Sequence, residues 1–171
     1  GRGGFARIAE PVAAERAASP NTIVVHAGDT LSPSLMSSFD KGRAIMAMLN
    51  AIKPEVFVPG NHEFDFGEAV FLERMGEAQF ARLAANLRTA AGAKVAGFDD
   101  TLVIDRGGVK VGFIGLTDQD SAVRSSPGTL AFLPLGKTGE AQAKALRQAG
   151  VDLVVAVTHS PWQDDLRLAA S

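Results

Sequence analysis

Val56-Phe57-Val58-Pro59-Gly60-Asn61-His62-Glu63-Phe64-Asp65 is the stretch on which the fold turns. Three apolar residues run into Pro59-Gly60 and then into a cluster of polar side chains. A short run that is apolar on both faces suits a strand of a sheet covered by helices. Pro-Gly punctuates its end, so the groups able to bind or react fall just beyond the strand. In open α/β sheets, that end of the strands frames the crevice where ligands sit.

The same layout occurs twice more. Thr22-Ile23-Val24-Val25-His26-Ala27 ends in Gly28-Asp29, and the buried run Val151 to Val157 leads into Thr158-His159. Asp29, Asn61 and His159 are far apart in sequence, yet each follows an apolar strand. A shared sheet edge would bring them together. Between these strands the spacing turns helical. Phe5, Ile8, Ala9, Val12 and Ala13 mark an amphipathic helix stopped by Ser19-Pro20-Asn21. Asp40 is placed to cap a helix through Ile45, Leu49 and Ile52, closed by Lys53-Pro54. Further expectations are a helix from Gly67 to Met75, a short strand Leu83-Ala84-Ala85-Asn86, and a helix around Glu140 to Gln148 capped at Gly150. Thr101 to Ile104 and Val109 to Gly115 flank Arg106-Gly107-Gly108 as a β-hairpin. Strands and helices alternate, so the class is α/β, and the hairpin makes the sheet mixed.

Composition narrows the partners. The chain has 171 residues, about one domain, with 46% apolar and 21% charged residues. A formal net charge of -2 and no long run of one sign give no broad basic face for a nucleic-acid polymer. The absence of cysteine excludes disulfides, thiolate zinc sites and a cysteine nucleophile. No run is long and apolar enough to span a bilayer. The opening Gly1-Arg2-Gly3-Gly4 lacks the pattern of a signal peptide.

The polar residues suit metal-assisted chemistry. Asp29 offers a carboxylate able to bridge two cations, Asn61 an amide oxygen and His159 an imidazole nitrogen. Oxygen and nitrogen donors without sulfur favour zinc, manganese or iron. Two cations about 3.5–4 Å apart can clamp a phosphoryl group and activate a shared water. His62 can face the other way, toward a phosphate, and Asp65 can hold its ring and favour its protonated form. More ordinary roles suit the neighbours. A lone Gly-Asp after a strand is commonly a turn or a cap, and Asp29 gains its meaning from the Asn61 segment. His26 reads as a core or supporting histidine, Glu63 as a structural hydrogen-bond acceptor, and Phe64 and Phe66 as packing anchors. Met46, Met48 and Leu49 read as core. Asp99, Asp100, Asp118, Asp120, Asp164 and Asp165 read as loop carboxylates.

Gly28-Asp29 with Gly60-Asn61-His62-Glu63 resembles two blocks of the calcineurin-like metallophosphoesterase superfamily. The longer Asn61-His62-Glu63-Phe64-Asp65, with Gly3-Gly4-Phe5-Ala6-Arg7 and Ala85-Asn86-Leu87, resembles its 5'-nucleotidase branch. The resemblance implies mixed β-sheets sandwiched by helices and a site holding two divalent ions (Zn, Mn, Fe or Co). It implies Asp29 as bridging ligand, Asn61 and His159 as ligands of one metal, and His62 with Asp65 as the catalytic dyad. A nucleotide or other phosphate ester is the implied substrate, hydrolysed by a metal-activated hydroxide. The periplasm or cell exterior is the implied location.

The family pattern also has an Asp-x-His block before the Gly3-Gly4-Phe5 segment and a Gly-His-x-His block after His159. Neither is present, and His26, His62 and His159 are the only histidines. The expectation is therefore a metallophosphoesterase domain over 1–171 that lacks its first strand, its last ligand block and the C-terminal substrate-binding domain. Such a chain would hold a partial site and be inactive alone. Two alternatives stand beside a 5'-nucleotidase: a truncated or non-catalytic metal-binding module, and a cyclic-nucleotide phosphodiesterase or 3'-nucleotidase of the same superfamily.

Overall fold

The computed structural model describes residues 4–170, so Gly3 of the opening Gly-Gly-Phe segment lies outside the described residues. In chain order the elements are α1 (Phe5–Ala18), β1 (Val25–His26), α2 (Leu35–Asp40), α3 (Arg43–Ile52), β2 (Val56–Phe57), α4 (Glu68–Gly76), β3 (Ala81–Arg82) and β4 (Leu87–Arg88). There follow β5 (Thr101–Arg106), β6 (Val109–Thr117), α5 (Ser121–Arg124), β7 (Ala131–Phe132), α6 (Leu135–Gln148), β8 (Leu153–His159) and α7 (Trp162–Ala169).

Alternation along the strands builds the layers, because successive side chains point to opposite faces. Val56 and Val58 face a core shared with Leu83, Val111, Phe113 and Val157. That core lies between the parallel sheet β1-β2-β3 and the mixed sheet β5-β6-β8. Phe57 points the other way, into a larger cluster with Met46 and Leu49 of α3, Phe64, and Phe71 and Met75 of α4. On the far side of the mixed sheet, Ile114 and Leu116 pack with Leu135 and Leu146 of α6. The result is helix, sheet, sheet, helix: an α/β architecture with one parallel and one mixed sheet between helices. The hairpin forms as the sequence implies, with β5 antiparallel to β6 and β8 parallel to it.

Five local expectations are corrected. The strand expected at Leu83 to Asn86 is a crossing between sheets. Leu83 N donates to Phe57 O of the parallel sheet (2.8 Å), and Ala85 N donates to Gly115 O of the mixed sheet (2.7 Å). Each residue changes partner, so no ladder forms, and β3 and β4 flank the crossing. Strand β1 is shorter than the apolar run that contains it. Strand β8 is shifted two residues later than expected and is not buried throughout. It edges the mixed sheet, Leu153 is 52% exposed, and only Val157 on it is fully buried. Helix α1 forms where the spacing places it but fully buries none of its residues; only Phe5 packs against the main core. Asp40, expected as the cap of α3, closes α2, while its carboxylate accepts from Gly42 N (2.9 Å) and Ala44 N (2.8 Å). It serves the start of α3 from outside that helix.

Candidate metal and phosphate site

Three strand ends meet at Asp29. The turn after β1 takes Gly28 (φ 78°) and Asp29 (φ 57°) through the left-handed region. A non-glycine residue pays for that conformation, and here it aims the carboxylate across the sheet edge. Asp29 Oδ1 accepts a hydrogen bond from His62 N at 3.1 Å and lies 3.3 Å from His159 Nε2. His159 sits at the end of β8, and its Nδ1 donates to Ala27 O at 2.6 Å. That bond uses Nδ1, so Nε2 is the ring nitrogen turned toward the carboxylate.

Gly60 permits this approach. A Cβ at Gly60 would lie 2.8 Å from Asp29 N and 2.8 Å from His159 Cε1, and closer still to Asp29 Oδ1. Gly28 passes so near that a Cβ there would overlap Gly60 N. Asn61 follows Gly60 and opens a single 3-10 turn, Asn61–Phe64. It therefore lies between two residues that both abut Asp29. The turn is fixed from below by Phe64, which is fully buried with its ring centroid 4.4 Å from that of Phe71. Phe66 is only partly buried.

His62 and Asp65 form a pair on the same turn, with Nδ1 2.7 Å from Asp65 Oδ2. The Asp65 hydrogen bond, helped by the charges of Asp29, Asp65 and Glu63, raises the His62 pKa above its ordinary value, against a smaller lowering by burial. The protonated ring is thus favoured at a partly exposed position. His26 behaves oppositely. Its Nδ1 accepts from Gly28 N (3.0 Å), Nε2 lies 3.1 Å from Thr30 Oγ1, and burial lowers its pKa. It supports the Asp29 turn as a neutral ring.

Some supporting residues were assigned no role from the sequence. Asn86 is fully buried and clamps the end of β6: Oδ1 accepts from Thr117 N (3.0 Å) and Nδ2 donates to Thr117 O (2.7 Å). Thr117 Oγ1 in turn donates to Pro59 O (2.7 Å), tying β6 to the Asn61 turn. Asp118 is 4% exposed; its N–H donates to His159 O (2.7 Å) and its carboxylate pairs with Arg124 (3.2 Å). Thr117-Asp118 ends an apolar strand just as Asp29 and His159 do, and that placement was the available signal.

The donor set fits a cation. Asp29 Oδ1 and His159 Nε2, 3.3 Å apart, are an oxygen and a nitrogen donor of the kinds that bind zinc, manganese or iron. The amide of Asn61 supplies the third candidate donor. Among the described residues no group of three or more His, Cys, Asp or Glu gathers to hold a metal. A cavity of about 860 Å³ lies elsewhere, between α6, α7 and the flank of β8, and none of Asp29, Asn61, His62, Asp65 or His159 lines it.

The sequence model of the calcineurin-like phosphoesterases matches residues 1–169. The chain belongs to this family. It is therefore a member of a hydrolase family, and its relatives include 5'-nucleotidases. A snake venom 5'-nucleotidase from Crotalus adamanteus is 32% identical over 98% of this chain and 29% of that protein. The structure of a 5'-nucleotidase precursor from Thermus thermophilus superposes with a TM-score of 0.88 at 30% identity, over 98% of this chain and 33% of that one. An NAD nucleotidase from Haemophilus influenzae superposes with a TM-score of 0.91 at 27% identity, over 98% of this chain and 34% of that one. The chain thus spans about a third of the length of these relatives. No helix among the described residues is long and apolar enough to cross a membrane.

Proposed function

We propose that this chain forms the metal-binding part of a phosphomonoester hydrolase of the 5'-nucleotidase type, with a nucleotide as substrate. The observation that carries the reading is the meeting at Asp29 Oδ1 of the His62 amide and the His159 ring, from three separate strand ends. Asp29, Asn61 and His159 would hold a divalent cation (Zn, Mn, Fe or Co). A cation held there would lower the pKa of water and offset charge on the phosphoryl oxygens. His62, kept protonated by Asp65, binds the phosphate and gives its Nε2 proton to the departing alkoxide. Asp65 holds the ring by Nδ1, so that Nε2 is the nitrogen left for the ester.

Three donors are few for two cations. We propose that these residues make a partial site, and that the longer proteins of this type draw further donors and a nucleoside-binding surface from elsewhere in their length. Such relatives include a venom protein, which supports a periplasmic or extracellular setting.

The test is a Mn2+ titration of the chain, followed by phosphate binding to the loaded form and an assay on an aryl phosphate. The expected result is one Mn2+ per chain with negligible turnover, lost in Asp29→Ala and in Asn61→Ala. His62→Ala should weaken phosphate binding and keep the Mn2+. Unchanged uptake in the first two variants would overturn the ligand assignment. Loss of Mn2+ in His62→Ala would make it a ligand instead. Two ions per chain with turnover would overturn the partial site.

A further inference from the structure

Glu63 stands inside the Asn61 turn, yet the role just described leaves it unused. Its side chain is fully buried. Oε1 accepts from Thr30 N (2.6 Å) and Leu31 N (3.0 Å), and Oε2 accepts from Asp29 N (2.8 Å) and Gly60 N (2.6 Å). A carboxylate has about four lone-pair sites, and four backbone donors occupy them here. No acceptor capacity remains for a metal, although the residue adjoins the candidate ligands in sequence.

No Lys or Arg pairs with this carboxylate among the described residues. Backbone dipoles take that place. Successive N–H groups at 29, 30 and 31 converge on one anion, as happens where left-handed residues curl the chain into an anion-binding nest. Asp29 is the left-handed residue here (φ 57°), and Thr30 after it is not. The anion is the protein's own side chain, and the fourth donor comes from the other loop.

We propose that Glu63 is the positioning residue for the Asp29 ligand. It holds Asp29 in its left-handed conformation and locks the β1 and β2 loops in register, so that the carboxylate faces His159 before any cation arrives. The inference rests on the reading of Asp29 as a metal ligand. Glu63→Gln is the discriminating change. It keeps the size of the side chain but turns one oxygen into an NH2 group facing two N–H donors.

The experiment is a Mn2+ titration of the 171-residue chain and of E63Q, with amide hydrogen exchange followed by NMR. E63Q is expected to remain folded by far-UV circular dichroism, to bind Mn2+ about 10–100-fold more weakly, and to regain occupancy in excess Mn2+. Glu68→Gln is the control. Glu68 also accepts from a loop backbone, Thr129 N at 2.7 Å, so a merely structural carboxylate there should lower stability without weakening Mn2+ binding. A folded E63Q with wild-type affinity would overturn the inference. Wild type that takes up no Mn2+ would instead overturn the ligand reading. Should E63Q not fold, exchange in the wild type decides: slow exchange at Asp29, Thr30, Leu31 and Gly60 supports the nest, and rapid exchange at Asp29 and Thr30 overturns it.

Discussion

Replacing Gly60 with alanine tests the close approach of Asp29 and His159. The new Cβ would lie 2.8 Å from both Asp29 N and His159 Cε1, where ordinary van der Waals contact begins at 3.4 Å. One of those atoms is backbone and cannot swing aside, so the loops must part by about 0.6 Å. Metal sites tolerate errors of about 0.2 Å in ligand position, and lost outer support typically costs about 10–100-fold in affinity. Overpacking adds a stability cost of about 1–3 kcal/mol. Gly60→Ala should therefore fold with a lower urea midpoint and bind Mn2+ at least about tenfold more weakly. The assay is Mn2+ titration by electron paramagnetic resonance on protein shown to be folded by circular dichroism. A folded variant that binds Mn2+ as tightly as the wild type would refute the claim that Asp29 and His159 share a cation across Gly60.

Other changes bear on separate parts of the structure. In the metal-free chain, Asp65→Asn should lower the His62 pKa toward its ordinary value, read from the ring proton shifts; an unchanged pKa would deny Asp65 its role. Because the folded-state pKa of His62 is raised, its contribution to stability is full below about 6.5 and fades as pH rises through the raised value. His26 has the opposite sign: its folded pKa is lowered, so stability present above about 6.5 falls as pH drops. Urea melts between neutral pH and pH values near 5 should show that loss, and His26→Asn, which keeps an acceptor for Gly28 N, should reduce it. Asn86→Ala would leave the buried N–H and C=O of Thr117 without their side-chain partners, at about 1–3 kcal/mol for each unsatisfied group. Equilibrium denaturation should show that drop.

The layered fold was legible because the strands are written in apolar runs that end in punctuation. Phe57 between Val56 and Val58 supplies both faces of β2, and Arg106-Gly107-Gly108 gives the hairpin directly. Where reading failed, the cause was pairing between distant segments. Leu83 to Asn86 is as apolar as a strand, but its hydrogen bonds go to two different sheets. The exposure of β8 follows from its place at a sheet edge, which no local pattern encodes. The five site residues share a legible signal, their position just past apolar strands, and the structure brings Asp29, His159 and the Asn61 turn together. The scaffold of the site was harder to see. Asn86 and Thr117 act through bonds between residues 31 apart in sequence, and the four donors that Glu63 gathers come from two loops.

On the proposed reading, a divalent cation binds where Asp29 Oδ1 and His159 Nε2 meet beside the Asn61 turn. Paramagnetic broadening by Mn2+ in a spectrum of the nitrogen-labelled chain tests it most directly. Amide signals of residues 28–31, 60–62 and 159 should disappear first, at substoichiometric Mn2+, and persist in Asp29→Ala. Broadening centred elsewhere, or an unchanged pattern in that variant, would contradict it.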